Sequence, residues 1–258
     1  MSTKWRLLSR ICYFDRKRLR FVKVSPRACD PQGPPTIDEK DTARRQTVLN
    51  DFITGRRWVD IGAGFGDLIE KEMTASRASS FLAVEPNIIQ RNFMMRRGIP
   101  CVSEVNEIDT TSPAPHDLAT MFHVLEHVHD PRQFLQATRR ILRPDGLLIV
   151  EVPHARDVLL QTYASVAFQE FTFWSEHLIL HTETSLVAVL EDTGFEVQEV
   201  RRVQRYPITN HLFWLARGLP GGHNEYAHLR SSSIDAAYEH LLQQADQTDT
   251  LLVIASRT

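Results

Sequence analysis

The sequence predicts an α/β domain, a mainly parallel sheet with helices on both faces. Three observations carry this. Short apolar runs alternate with segments of helical periodicity across residues 45–200. The run Leu147–Val152 is nearly all apolar, as a strand buried on both faces must be. The first run also passes into a helix through three alternating glycines, in Val59-Asp60-Ile61-Gly62-Ala63-Gly64-Phe65-Gly66-Asp67.

Taken in order, residues 1–35 read as a basic extension and linker, the linker carrying Pro26, Pro31, Gly33, Pro34 and Pro35. Residues 36–258 read as one domain. Thr36–Ile53 has helical character, with Ile37, Val48, Leu49, Phe52 and Ile53 on its apolar face, and Trp58–Ile61 is the first buried strand. Ser80–Glu85 is a second strand, and Asn87–Arg97 a helix stopped by Gly98. Asp117–Phe122 is another strand. The helix after it has Asp130 to cap it and Pro131 at its first position, with Phe134, Leu135, Ile141 and Leu142 on one face. Pro144-Asp145-Gly146 then turns the chain into Leu147–Val152. Residues 155–181, rich in aromatics (Tyr163, Phe168, Phe171, Phe173, Trp174), form a candidate lid. Thr182 caps a helix through Glu191, Phe195–Val203 is a strand, and an insertion over 205–248 precedes the final strand Leu251–Ser256.

Composition narrows the class. With 258 residues, 42% hydrophobic and 24% charged, the chain is globular and long enough for one elaborated domain. Thirty basic against 32 acidic side chains leave a net charge of −2, so no overall field for a polyanion exists and nucleic acid is not the expected partner. The segment from Lys4 to Arg27 is locally basic, which suits a solvated face or a dock for an anionic partner. Cys12, Cys29 and Cys101 include no C-x-x-C, so neither a disulfide framework nor a zinc ribbon is written, and a reducing cytoplasm is the expected location. No 18-residue apolar run occurs, so no transmembrane segment is expected.

The spacing of the glycine turn selects the cofactor class. A dinucleotide fingerprint wants G-x-G-x-x-G, but its last glycine position is Asp67 here and the pattern is D-x-G-x-G-x-G. Glu85 ends the second strand about 20 residues beyond the glycines, where a carboxylate accepts both hydroxyls of an adenosine ribose. Together with Ala83-Val84-Glu85-Pro86, the loop resembles that of the class I S-adenosylmethionine (SAM) dependent methyltransferases, over most of residues 45–200. The resemblance implies a Rossmann-like fold with a seven-stranded, mainly parallel sheet whose last strand is antiparallel. It also implies SAM as cofactor, with S-adenosylhomocysteine (SAH) as product. Asp60 and Gly62 would face the methionine part, Ala63, Gly64 and Gly66 would complete the loop, and Glu85 with Pro86 would lie at the ribose. Glu104 and Val105 would lie at the adenine, and His123 beside the methyl donor.

SAM carries an activated methyl, so a base is needed only where the acceptor holds a proton. Two histidine clusters offer one: His123, Glu126 and His127 after Asp117–Phe122, and Glu176, His177 and His181 before the Thr182 helix. The second block is similar to one in the sugar C-methyltransferases, which carry a Tyr-His-Glu-His run there; this chain has Trp174-Ser175-Glu176-His177, and no matching cysteine ligands for their amino-terminal zinc module. O-methylation of a small hydroxylated acceptor, a sugar or sugar nucleotide by that resemblance, is therefore expected, with His177 or His127 as base beside Glu176. Sugar C-methylation, RNA methylation and a catalytically silent SAM-binding subunit are the alternatives. An E-x-x-E-H helix binds a divalent ion in some methyltransferases, but His123 replaces its first glutamate, so no metal is expected. The insertion suits an acceptor pocket or a homodimer contact.

Overall fold

The computed structural model describes residues 12–15, 20–23, 39–109, 115–174 and 177–258. The predicted linker and most of the basic extension lie outside them. Within the extension, β1 (Cys12–Asp15) and β2 (Arg20–Lys23) pair antiparallel.

From residue 39 the chain alternates as its periodicity requires. Helix α1 (Glu39–Leu49) leads into β3 (Arg57–Ile61), then α2 (Asp67–Ala75), β4 (Ser80–Val84), α3 (Ile88–Arg96) and the short β5 (Cys101–Val102). Next come β6 (His116–Phe122), α4 (Pro131–Ile141) and β7 (Leu142–Pro153). Two helices, α5 (Val158–Gln161) and α6 (Val166–Trp174), fill the aromatic segment before α7 (Glu183–Glu191) and β8 (Phe195–Val203). The insertion folds as α8 (Ile208–Arg217), α9 (Gly222–Glu225) and α10 (Ser232–Ala245), and β9 (Thr250–Arg257) closes the chain.

The seven strands from β3 onward form one sheet in the order β5-β4-β3-β6-β7-β9-β8. β9 runs antiparallel to both its neighbours, whereas β3 pairs parallel with β4 and β6, and β6 with β7. Period-two alternation sorts the apolar residues onto two cores. Val59, Ile61, Ala119, Met121, Leu148 and Val150 face one side with Leu135, Leu186 and Leu190, while Trp58, Leu118 and Ile149 face the other with Leu49, Ile69 and Met94.

The predicted caps Asp130 and Thr182 recur in the structure, and Asn87 is found to cap α3 as well. Asn87 Oδ1 accepts from the Ile89 amide at 2.9 Å, Asp130 Oδ1 from that of Gln133 at 3.0 Å, and Thr182 Oγ1 from that of Ser185 at 3.2 Å. One boundary differs. β7 starts at Leu142, before the Pro-Asp-Gly turn: the register jumps from His116 opposite Leu142 to Leu118 opposite Leu147, so residues 143–146 loop out of the ladder.

The insertion and the aromatic segment pack on each other. Trp214 of α8 lies 5.2 Å, ring to ring, from both Phe168 and Phe171 of α6. The buried His211 of α8 meets the Tyr238 hydroxyl of α10 at 2.9 Å. No helix among the described residues is long and apolar enough to cross a membrane.

Candidate cofactor and active site

Parallel strands deliver their carboxyl ends to one edge of the sheet, and the polar residues of the chain's interior gather there. Asp60, Glu85, His123 and Glu151 stand at or just past the ends of β3, β4, β6 and β7. Asp60 and His123 line a cleft of about 410 Å³, together with residues of α1 and the glycine loop, Phe122 and Arg205.

The loop is shaped by its glycines. Gly62 sits at φ +77°, and a Cβ there would lie 2.3 Å from the Val124 side chain, so no other residue fits. Gly64, at φ +60°, has open space where a Cβ would stand, so backbone and cleft meet there without a side chain between. Its amide donates to Glu85 Oε2 at 2.9 Å, and the Asn87 amide donates to Oε1 at 2.8 Å. Burial pushes the Glu85 carboxyl up, against those two N–H groups and Arg91. Arg91 also donates to the carbonyls of Glu85 and Pro86 at 2.7 and 2.6 Å, fixing the turn.

Asp60 lies opposite Thr120 in the β3–β6 register, and the Thr120 hydroxyl donates to Asp60 Oδ1 at 2.6 Å while accepting from Trp58 Nε1 at 2.9 Å. Burial raises its pKa to about 7, against the Thr120 hydrogen bond and the charge of Arg45, with the Glu85 charge adding to the rise. A carboxylate here meets a cationic ligand group only when ionised. SAH affinity is therefore expected to hold above pH 7 and to fall about tenfold per unit below it, read by calorimetry across pH 5–8. A flat profile would remove Asp60 from ligand contact.

His123 follows β6 with φ +57°, an uncommon conformation for a side-chain-bearing residue. Its amide donates to the Glu151 carbonyl at 2.8 Å, its Nδ1 lies 3.1 Å from Glu126 Oε1, and Arg205 Nη1 donates to its Nε2 at 2.9 Å. Glu151, fully buried, is gripped by Arg44 at 2.7 and 3.0 Å and by Arg45 at 2.8 and 3.1 Å. Arg205 in turn grips both oxygens of Asp41. None of Asp41, Arg44, Arg45, Glu151 and Arg205 was among the residues the sequence singles out for the site. The one available signal was Glu151, a lone acid in an otherwise apolar strand.

The histidines meet as well. The rings of His127 and His177 lie 5.1 Å apart, and ligating atoms of Glu126, His127 and His177 all fall within 4.8 Å of one another. The Glu126 carbonyl accepts the amides of Leu178 and Ile179, pinning the residues after His177 onto the β6 end. Burial lowers the His177 pKa, and the Glu126 charge opposes it, so the ring is neutral near pH 7. Glu176 lies outside the described residues. Glu104 is exposed and precedes the turn 105–107, while Val105 is buried in the core.

A parallel sheet with an acid-ended glycine loop, a second acid closing the next strand and a cleft between them defines a nucleoside-cofactor-binding protein of the doubly wound class. The chain belongs to the methyltransferase domain family, whose model matches residues 37–200. SAM is the cofactor of that family, and the open face of Gly64 with the Asp60 carboxylate in the cleft, the loop held from below by Glu85, fits it. The chain is 28% identical over 142 residues to the ubiquinone biosynthesis O-methyltransferase of Xylella fastidiosa (strain M23), covering 51% of this chain and 56% of that protein. It thus spans little more than half the length of that relative. The Aeromonas salmonicida (strain A449) protein of the same name is 25% identical over 211 residues, 74% of this chain and 85% of its own. Among solved structures, a SAM-dependent methyltransferase from Archaeoglobus fulgidus shares the fold with a TM-score of 0.57 at 17% identity, covering 85% of this chain and 94% of its own.

Proposed function

We propose that the chain transfers a methyl group from SAM to a hydroxyl oxygen of a small acceptor, with His177 taking the hydroxyl proton. The observation that carries this is His177 itself, a half-buried ring whose pKa burial lowers, beside His127 and Glu126 and anchored through Glu126 to the strand end that borders the cofactor cleft. SAM, when bound, supplies the activated methyl carbon. Glu85 accepts the two ribose hydroxyls and Asp60 faces the ammonium of the amino-acid end. The O-methyltransferase names of the relatives support oxygen as the acceptor atom.

The test is a +14 Da screen with SAM against phenols and sugar nucleotides. His177→Ala is expected to cut turnover by about a hundredfold to ten-thousandfold, with SAH affinity unchanged in calorimetry. Loss of SAH binding instead would make His177 structural. Turnover is expected to survive exhaustive chelation, and a loss restored by a divalent ion would turn Glu126, His127 and His177 into its ligands.

A further inference from the structure

The cofactor cleft holds a charge arrangement that methyl transfer does not by itself require. Its glycine-loop side is acidic, with Asp60 and Asp67. The opposite side gathers three guanidiniums, Arg44 and Arg45 of α1 and Arg205 at the root of the insertion, around two carboxylates, Asp41 and Glu151. Asp249 stands behind Arg205, so the cations are balanced, but of the three guanidiniums those of Arg45 and Arg205 reach the cleft wall itself. A zwitterionic group, an ammonium beside a carboxylate, can meet acids on one side of such a cleft and guanidiniums on the other.

The two carboxylates differ in what opening them would cost. Glu151 has no exposed side-chain surface, and both Nε and Nη2 of Arg45 are committed to it. Withdrawing Arg45 would weaken the neutralisation of a buried charge. Asp41 instead lines the cleft, and when Arg205 lets go it keeps Arg44, whose Nη2 and Nε lie 3.1 and 3.3 Å from its Oδ1. Arg205 is thus the cation that can change partner without stranding an acid. It is also held from behind: Asp249 Oδ2 accepts its backbone amide at 2.9 Å and that of Tyr206 at 3.1 Å, so the guanidinium stays at the cleft while its contacts exchange.

We propose, resting on the methyl-transfer assignment, that Arg205 reads the carboxylate of the amino-acid end of SAM, exchanging part of its grip on Asp41 for it. The planar guanidinium suits this because it binds a carboxylate through two parallel N–H donors. The insertion then selects for cofactors that keep a free carboxylate, and cofactor binding loosens the clasp between the insertion and α1.

Calorimetry with two ligands tests it: SAH, and 5′-methylthioadenosine, which shares the adenosine and sulfur but lacks the amino-acid end. Arg205→Gln is expected to weaken SAH by about tenfold to a hundredfold and 5′-methylthioadenosine by less than about twofold. Asp41→Asn, which removes the competing partner, is expected to leave SAH binding equal or tighter. Equal losses for both ligands, no loss for SAH, or an Asp41→Asn chain that loses SAH as Arg205→Gln does would each overturn the proposal and make the pair a structural clasp. If Arg205→Gln fails to fold, Arg205→Lys carries the same comparison, because it keeps a charge for Asp41 and loses the two-pronged donor. Its SAH-specific loss is expected to be smaller, and its absence is equally fatal. An unaltered chain that binds neither ligand refutes the methyl-transfer assignment itself, and is recognised before any substitution is made.

Discussion

Glu85→Ala is expected to weaken SAH binding by a hundredfold or more, on the order of 3 kcal/mol, while the melting point falls only a few degrees. The carboxylate has two tasks. It holds the glycine loop in shape through the amides of Gly64 and Asn87, and on the proposed assignment it also accepts from a ribose diol. On the proposed assignment, removing it would forfeit two charge-assisted hydrogen bonds to the ligand, and it frees the Gly64 and Asn87 amides that shape the loop. Stability suffers less, since the cleft is open and water can replace the carboxylate on Gly64. Glu85→Gln, which keeps the shape and one carbonyl acceptor, should fall between. Unchanged SAH affinity in Glu85→Ala would refute diol binding by this residue.

Glu151→Ala is expected to give the largest loss of stability, about 3–5 kcal/mol, or a fall in melting temperature of 10 °C or more. The cause is not a cavity but uncompensated charge. Arg44 and Arg45 would lose their common partner, and His123 would lose the neighbour 3.3 Å from its Nε2. Burial alone would raise the Glu151 pKa, but His123 and the two guanidiniums outweigh it and hold the carboxyl well below its usual value of 4.5. A depressed carboxylate contributes stability that is present above its unfolded pKa and lost as pH falls through the folded one. The unaltered chain should therefore lose stability below about pH 4.5, and Glu151→Gln, already destabilised at neutral pH, should show a shallower acid limb in denaturant titrations. Equal slopes would place the acid sensitivity elsewhere.

The parts of the site that were legible share one property: they are local. The glycine loop and Glu85 belong to one β-turn-α-β unit, and the amide that Glu85 accepts comes from Gly64, 21 residues away. The predicted caps Asp130 and Thr182 act within three residues. What escaped is nonlocal. Arg44 and Arg45 reach Glu151 across 107 and 106 positions, and Arg205 reaches Asp41 across 164. Each alone looks like a charge on a helix or loop, and nothing in its neighbourhood reveals its partner. The start of β7 was misplaced for a related reason: Pro144-Asp145-Gly146 does turn the chain, but cross-strand pairing to β6 resumes on both sides of the turn.

By itself the sequence determined most of the strands and helices and the glycine loop, because backbone conformation and hydrophobic periodicity are set by residues a few positions apart. Only the tertiary structure decided which charges meet at the cleft and that His127 and His177 stand together. Those pairings depend on strand order and on how the insertion returns to the sheet. Ion pairs and histidine clusters form between surfaces brought together by burial of the apolar faces, and the burial pattern does not specify which polar groups arrive opposite one another.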